Sequence, residues 1–479
     1  MQEKTIPESG VAASRESAAP ANDTAALRAG DNQVVHPWEA LADYGANERT
    51  VIERAEGVYL YDTDGDALLD GPGGMWCVNA GHGRREIADA AHAQMLDMAY
   101  VSPWSLTSGP AARLGQRLAD LAPGDLNNVF FTTGGSTAVD SALRFVQFYN
   151  NVRGRPEKKH IITRRDAYHG STYLAASVSG KGRDKSWFDY ETDTIDFLPS
   201  PNPYRRPKDM SVEEFCNAKV ADLENRILEV GADRVAAFIA EPILASGGVI
   251  VPPAGYHAKC QAVCRKHDVL YISDEVVTAF GRLGHMFASK AVFDVQPDVI
   301  TAAKGLTSGY LPLGAVLISD RLLDDITGDN SLDAIFSNGF TYSGHPVSCA
   351  AALANIDILE REQLPERVRE IGPYFQQRLA ELRDIPIVGD VRGMGLVGCV
   401  ECSLTGGTEE DLELDYAIGN RIDEHCQKMG LLVRPFVNMC VMSPPLTITR
   451  EQIDFLVDTL RTGILRSMDD LRAEGLYEG

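Results

Sequence analysis

No apolar run in the 479-residue chain approaches the ~20 residues that a membrane-crossing helix needs. The first residues have neither the basic start nor the apolar stretch of a secretion signal. A cytoplasmic protein with no membrane partner is expected. Positive charge is also scarce: 45 Lys and Arg face 68 Asp and Glu, a formal net charge of −23. Phosphate backbones and anionic lipids are drawn to Lys/Arg surfaces, so nucleic acid is not an expected partner. The nine cysteines are scattered, and the nearest pairs, Cys260/Cys264 and Cys399/Cys402, lack a second pair or histidines at zinc-site spacing. Buried thiols in a reducing compartment follow, with no metal site. Gly and Pro are spread as loop punctuation rather than gathered in repeats, and no Gly-Lys-Ser/Thr Walker ending occurs.

What is present is the mass for one large core with a smaller lobe, in an ordinary globular composition of 44% hydrophobic and 24% charged residues. Residues before about Val34 have too little apolar content to bury, and the fold is expected to start near His36-Pro37-Trp38. Gly57 to Leu69 alternates around Asp64-Gly65 and reads as a hairpin of the minor lobe. From Val129 the texture becomes short apolar runs separated by helical stretches. Val129 to Thr132, His160 to Thr163, Val235 to Ala240, Val269 to Ser273, Asp298 to Ala302 and Leu313 to Ser319 read as strands of a largely parallel, buried α/β sheet. After Pro346 an Ala-rich helix, a helix near Arg367 to Arg383 and strands near Val397 to Glu401 and Leu431 to Arg434 form a second lobe.

In open α/β sheets ligands sit beyond the carboxyl ends of the strands, and four strand ends here carry polar chemistry. Thr132-Thr133-Gly134-Gly135-Ser136-Thr137 opens a helix, so its free N–H groups suit a phosphate, although an ordinary cap has the same composition. Asp274, after the buried run Val269 to Ser273, needs a cationic partner; a protonated pyridine nitrogen would serve, as would a helix cap or a metal. Lys304, among Thr301-Ala-Ala and Gly305, is either a Schiff-base amine with its pKa lowered by desolvation or an exposed loop lysine. Tyr168, in Asp166-Ala-Tyr168-His169-Gly170, either stacks on a flat ring or packs in the core. All four in one chain point to pyridoxal 5'-phosphate (PLP). Gly393-Met-Gly395-Leu-Val-Gly398 fits the dinucleotide fingerprint of a nicotinamide-dependent oxidoreductase. A strand-like Cys399-Val-Glu-Cys402 follows it instead of a helix, so it reads as a tight turn.

From about His36 to the C-terminus the chain resembles the class III aminotransferases of PLP fold type I, the ω-transaminase type. The resemblance rests on Gly71 to Gly83 (GPGGMWCVNAGHG), Gly135-Ser136, Tyr168-His169-Gly170, Glu241-Pro242, Asp274-Glu275-Val276, Ala303-Lys304-Gly305, Gly339 to Pro346 (GFTYSGHP), Leu432 to Pro435 (LVRP) and Pro444-Pro445. It implies a large domain with a mainly parallel seven-stranded sheet plus a smaller α+β domain. The corresponding division is an N-terminal arm 1–33, a first part of the small domain 34–74, a PLP-binding domain 75–345 and a C-terminal small domain 346–479. It also implies roles. Lys304 forms the Schiff base and shuttles the proton, Asp274 holds the ring nitrogen, and Val276 and Tyr168 sandwich the ring. His169 belongs to the cofactor shell, Glu241 supports the ring face, and Gly135, Ser136 and Thr137 bind phosphate. Thr341 reaches the phosphate of a neighbouring subunit in a homodimer or tetramer with shared sites. Relatives often carry an acidic or amide residue where Thr137 stands. Trp76 and Trp104 wall the substrate pocket, and Arg434 is the mobile arginine that pairs with a carboxylate. The activity implied is transfer of an amino group from an amine or ω-amino acid to a 2-oxo acid, pyruvate, by a ping-pong route. An aminomutase or a biotin-pathway aminotransferase is the alternative within the fold.

Overall fold

A computed structural model of the chain describes residues 23–45, 49–327, 334–404 and 412–477; residues 1–22 of the expected N-terminal arm lie outside them. Backbone packing divides the chain into a small unit, running to Ala55 and including Leu60–Ala67, and a large one of Glu56–Tyr59 and Leu68 onward. In the small unit the helix Thr24–Asp31 starts at Asp23, whose carboxylate accepts the N–H of Ala25 and Ala26. Arg49 joins Glu39 at 2.6 Å and Asp31 at 3.3 Å. The expected turn at Asp64-Gly65 is present, closed by Asp62, whose side chain accepts the N–H of Asp64 and Asp66.

The large unit is built on a seven-stranded sheet. Its strands are β1 (Asn128–Thr132), β2 (His160–Arg164), β3 (Ile195–Leu198), β4 (Val235–Ala240), β5 (Leu270–Asp274), β6 (Val299–Ala302) and β7 (Gly314–Ile318). The order is β1-β7-β6-β5-β4-β2-β3, and only β7 runs antiparallel to its neighbours. All six strands read from the sequence are present, and β3 adds the seventh. Both faces are covered, which explains runs as apolar as Val-Ala-Ala-Phe-Ile-Ala in β4. Ala237 and Ile239 pack with Val139, Val146 and Phe145 of the helix Gly135–Val152, while Phe238 and Ala240 pack on the other face with Leu223, Ile227 and Cys260. Each buried Val, Leu, Ile or Phe among them contributes roughly 1.5–3 kcal/mol and each alanine less. The polar groups that interrupt this texture gather at the carboxyl ends of β1, β2, β4, β5 and β6.

A second sheet is formed by β8 (Val388–Met394), β9 (Val397–Cys402), β10 (Arg434–Phe436) and β11 (Met439–Met442), all antiparallel in the order β8-β9-β11-β10. The Gly393 to Gly398 segment is the β8–β9 hairpin: Gly393 pairs with Gly398 and Met394 with Val397, and Gly395 supplies the positive φ of 55°. No helix follows to face a pyrophosphate, so the dinucleotide fingerprint has no structural counterpart. Elsewhere in the unit, Leu431 and Leu432 pair with Leu69 and Asp70. This pairing carries the start of the 71–83 motif to the strand that leads into Arg434.

Candidate active site

Asp274 ends β5 with its carboxylate buried, two donors on Oδ1 and one partner on Oδ2, which leaves Oδ2 room for another. Oδ1 accepts from Thr301 Oγ1 at 3.0 Å and from the Val276 N–H at 3.2 Å, and Oδ2 lies 2.6 Å from His169 Nδ1. Thr301 sits opposite Asp274 in the β5–β6 register, and three residues later the chain reaches Lys304. Asp274 thus ends one strand and Lys304 follows the end of its parallel neighbour, and the charge of the carboxylate acts on the amine. Burial holds the Lys304 amine below its ordinary value, with Asp274 opposing that shift. The Lys304 amine makes no hydrogen bond or ion pair among the described residues; it lies 5.4 Å from the centre of the Trp76 ring.

Lys304 has a positive φ of 45°, a conformation that costs a non-glycine residue about 1–3 kcal/mol and persists only when surrounding contacts enforce it. Those contacts come from Asn355, fully buried on the helix Pro346–Arg361, whose Nδ2 donates to the carbonyls of Gly305 (2.8 Å) and Leu306 (3.0 Å). Ser308 Oγ in turn donates to Asn355 Oδ1 at 2.7 Å. The amine therefore stands on a turn clamped from behind.

Tyr168 leaves β2 beside this pair. Its N–H donates to Glu241 Oε1 at 2.9 Å, and Glu241 Oε2 accepts from Ala245 N at 3.1 Å. Glu241 thus fixes the backbone that carries the ring instead of touching the ring, and burial pushes its carboxyl above the ordinary range. At the carboxyl end of β1, the helix Gly135–Val152 begins. A Cβ at Gly135 would meet Val276 Cγ1 at 3.0 Å, so the loop and Val276 approach as closely as glycine permits. Ser136 Oγ accepts from the Ser171 N–H at 3.0 Å, tying this helix start to the loop after Tyr168. Thr137 turns its hydroxyl inward, donating to the Gly134 carbonyl at 2.9 Å and accepting from the Thr133 N–H at 3.2 Å. What Thr137 offers an anion is backbone at a helix N-terminus.

Trp76 is buried, and its ring meets that of Phe436 at 5.6 Å. The loop before it is fixed by the buried Asp70, which accepts the Gly74 N–H and lies 2.9 Å from His82 Nε2. Arg434, on β10, places its guanidinium 5.5 Å from the Phe436 ring centre, and Tyr168 is among the groups acting on it. It makes no ion pair among the described residues. Two expected site residues stand apart from this constellation. Trp104 is 95% exposed, and Thr341 lies on an exposed loop where its carbonyl accepts from Tyr100 Oη at 2.9 Å. Three residues not read from the sequence belong to the site: Asn355, Phe436 and Cys77, whose thiol acts on both Lys304 and Arg434 and is pushed up by burial. Cys77 is half-buried, whereas the other eight cysteines are fully buried. Sequence offered no signal for the first two beyond their types.

A buried carboxylate at one strand end, an amine of depressed pKa at the next, an aromatic loop and a helix N-terminus opening on glycine form a donor set that fits PLP: an anion site, a pyridinium partner and an imine-forming lysine. The comparisons agree. Residues 42–464 match the family model "Aminotransferase class-III". Putrescine–pyruvate aminotransferase of Pseudomonas aeruginosa is 41% identical over 444 residues, 90% of this chain and 96% of that protein. Gamma aminobutyrate transaminase 3 of Solanum lycopersicum is 40% identical over 413 residues, 86% of this chain and 79% of that protein. Among solved structures, an (S)-enantioselective omega-transaminase from Thermomicrobium roseum superposes with a TM-score of 0.88 at 40% identity, covering 93% of this chain and 98% of that one. The omega transaminase of Pseudomonas jessenii in complex with PMP gives 0.88 at 33% identity, covering 94% and 100%. The chain belongs to the class III aminotransferases. It is a PLP-dependent transaminase of fold type I.

Proposed function

We propose that this transaminase moves an amino group from an amine or ω-amino acid to a small 2-oxo acid, with pyruvate as acceptor, in a ping-pong cycle. The observation that carries the reading is Arg434: a half-buried guanidinium with no carboxylate partner among the described residues, sharing an aromatic wall with the ring beneath Lys304. A guanidinium fork matches a carboxylate bidentately, which suits a 2-oxo acid. The acceptor lean is supported by the 41% identity to a putrescine–pyruvate aminotransferase.

PLP, when bound, supplies the aldehyde that takes up the amino group and a ring that withdraws electrons from the substrate carbon. The rest is done by the chain. Lys304 links the cofactor as a free amine, which its lowered pKa makes available nearer neutrality, and then moves the proton at the substrate carbon. Asp274, held by His169 and Thr301, keeps the ring nitrogen protonated. Tyr168 and Val276 close on the ring faces, with His169 and Glu241 behind them, while Gly135, Ser136 and Thr137 take the phosphate. Trp76 walls the substrate side.

Thr341 and Trp104 are proposed to serve across a two-fold axis in a homodimer, Thr341 toward the partner's phosphate. Supporting this, the Thr341 loop borders a groove of about 540 Å³ lined by Val101, Leu106, Ala111, Phe131 and Gly344, on a face that also exposes Tyr342 and Trp104. The groove also carries Ser108, Asn127, Asn128 and Ser343, a mixed lining of the sort found where two protein surfaces meet. The proposed division at residues 34, 75 and 346 and a cytoplasmic location belong to the same reading.

Borohydride reduction of the yellow holoenzyme should fix the cofactor to Lys304, and Lys304→Ala should lose that attachment with at least ~10⁴-fold of the activity. Arg434→Ala should lower kcat/KM for pyruvate by about 100-fold and for a simple alkylamine by far less. Equal losses would refute the role given to Arg434.

A further inference from the structure

Phe436 carries a second cation. Lys181 Nζ lies 4.9 Å from the centre of the Phe436 ring and 5.8 Å from that of Tyr168, so the ring that packs on Trp76 meets two positive side chains, Lys181 and Arg434. The chain places it there: Gly180 donates its N–H to the Ala167 carbonyl at 2.8 Å, which presses the Lys181 segment against the loop of Tyr168. The ammonium is 10% exposed and has two polar partners, Ser246 Oγ at 3.0 Å and Asp184 Oδ2 at 3.2 Å. These two leave one of its three N–H groups without an acceptor among the described residues. Asp184 also receives Arg183 Nε at 3.1 Å, so it keeps a cationic partner if the ammonium turns toward a ligand.

We infer that Lys181 is a specificity-determining residue that reads the charge at the far end of the amine donor, favouring ω-amino acids with a distal carboxylate or sulfonate over diamines. The inference rests on the proposed transaminase reading of this site. A donor enters with its amine toward Lys304, and a chain of a few carbons carries its other end along the Trp76–Phe436 wall toward Arg434 and Lys181. Pyruvate, with its carboxylate next to the reacting carbon, needs one cation; an ω-amino acid whose acid lies several bonds away profits from a second, farther along the wall. The same ammonium repels the free end of a diamine in a partly desolvated setting, where like charges are costly.

Three donors of one length separate charge from shape: 4-aminobutyrate, butylamine and 1,4-diaminobutane, each assayed with pyruvate as acceptor. In the wild type kcat/KM should fall in that order. Lys181→Met, which keeps the apolar stem, should lower the ratio of 4-aminobutyrate to butylamine about ten-fold and raise that of 1,4-diaminobutane to butylamine several-fold. Lys181→Arg should restore the wild-type order. A merely structural role would scale all three donors together, and that result, or unchanged ratios, overturns the inference. Taurine and 3-aminopropanoate assayed in parallel tell whether sulfonate or carboxylate is preferred. If the wild type transaminates no amine, or borohydride fixes no cofactor at Lys304, the underlying reading fails instead.

Discussion

Asp274 and Glu275 are neighbours in sequence, both buried, both carboxylates, yet they belong to different kinds of neighbourhood. Around Glu275 the chain closes on itself: Oε2 accepts the Ala288 N–H at 2.6 Å and Thr278 Oγ1 at 3.2 Å, and Oε1 accepts the Ser289 N–H at 2.9 Å. Around Asp274 the partners are His169 and Thr301, but the cations that share its cavity, Lys304 and Arg434, have no ion pair in the described chain. Buried charges are normally paired because an unpaired one is costly. A region that satisfies its own charges is holding the fold together, whereas one that leaves two cations over is shaped for something that arrives later.

The contrast predicts opposite failures for two isosteric changes. Asp274→Asn removes the charge proposed to hold the ring nitrogen and should lower kcat by about 10²–10³-fold with little change in the urea midpoint. Glu275→Gln turns an amide donor toward a backbone N–H and should cost about 2 kcal/mol in urea unfolding, with activity per folded molecule preserved within about two-fold. If both variants lose activity and stability alike, the division between the two neighbourhoods is wrong. A smaller effect is expected behind Lys304. Asn355→Leu leaves the Gly305 and Leu306 carbonyls without donors and frees the strained φ at Lys304, so the rate of cofactor attachment in stopped-flow reconstitution should fall several-fold and the unfolding free energy by about 1–3 kcal/mol. Gly135→Ala, whose Cβ would press on Val276, should weaken cofactor retention on dialysis by about ten-fold while the urea midpoint barely moves.

Much of this was legible beforehand because it is written locally. Lys304 and Asp274 follow apolar runs, and a polar residue at the end of a buried strand has few places to go. Gly393 to Gly398 declared itself a turn because a strand followed it. The direction of β7 was not legible, since a run buried on both faces looks the same whichever way it runs. Strand β3 hid behind Asp196, a charge in the middle of a short edge strand, which the structure pairs with Arg226 and with His160 at 3.1 Å. Asn355, Phe436 and Lys181 escaped for another reason. Each earns its place through residues from other parts of the chain, Asn355 with Gly305 and Lys181 with Phe436, and no local pattern encodes such a meeting. Trp104 entered only through the family resemblance, and its 95% exposure is a property of one chain's surface.

The finest test of the comparison concerns Glu241, which lies between the two kinds of neighbourhood: its hydrogen bonds are structural, yet it faces Asp274 and His169. Burial raises its pKa above the ordinary 4.5, with Asp274 adding to the shift and His169 and Arg164 opposing it. The folded protein therefore keeps this proton to higher pH than the unfolded chain does. Stability linked to Glu241 is fully present below about pH 4.5 and is lost as pH rises through the folded value, by about 1.4 kcal/mol for each unit that separates the two. Glu241→Gln does not titrate, and Asp274, His169 and Arg164 remain in both proteins. The unfolding free energy of the wild type relative to the variant should then decline as urea melts are repeated from pH 4.5 upward. Parallel curves would mean that Glu241 ionises as freely in the fold as outside it, and that its burial adds nothing to the linkage.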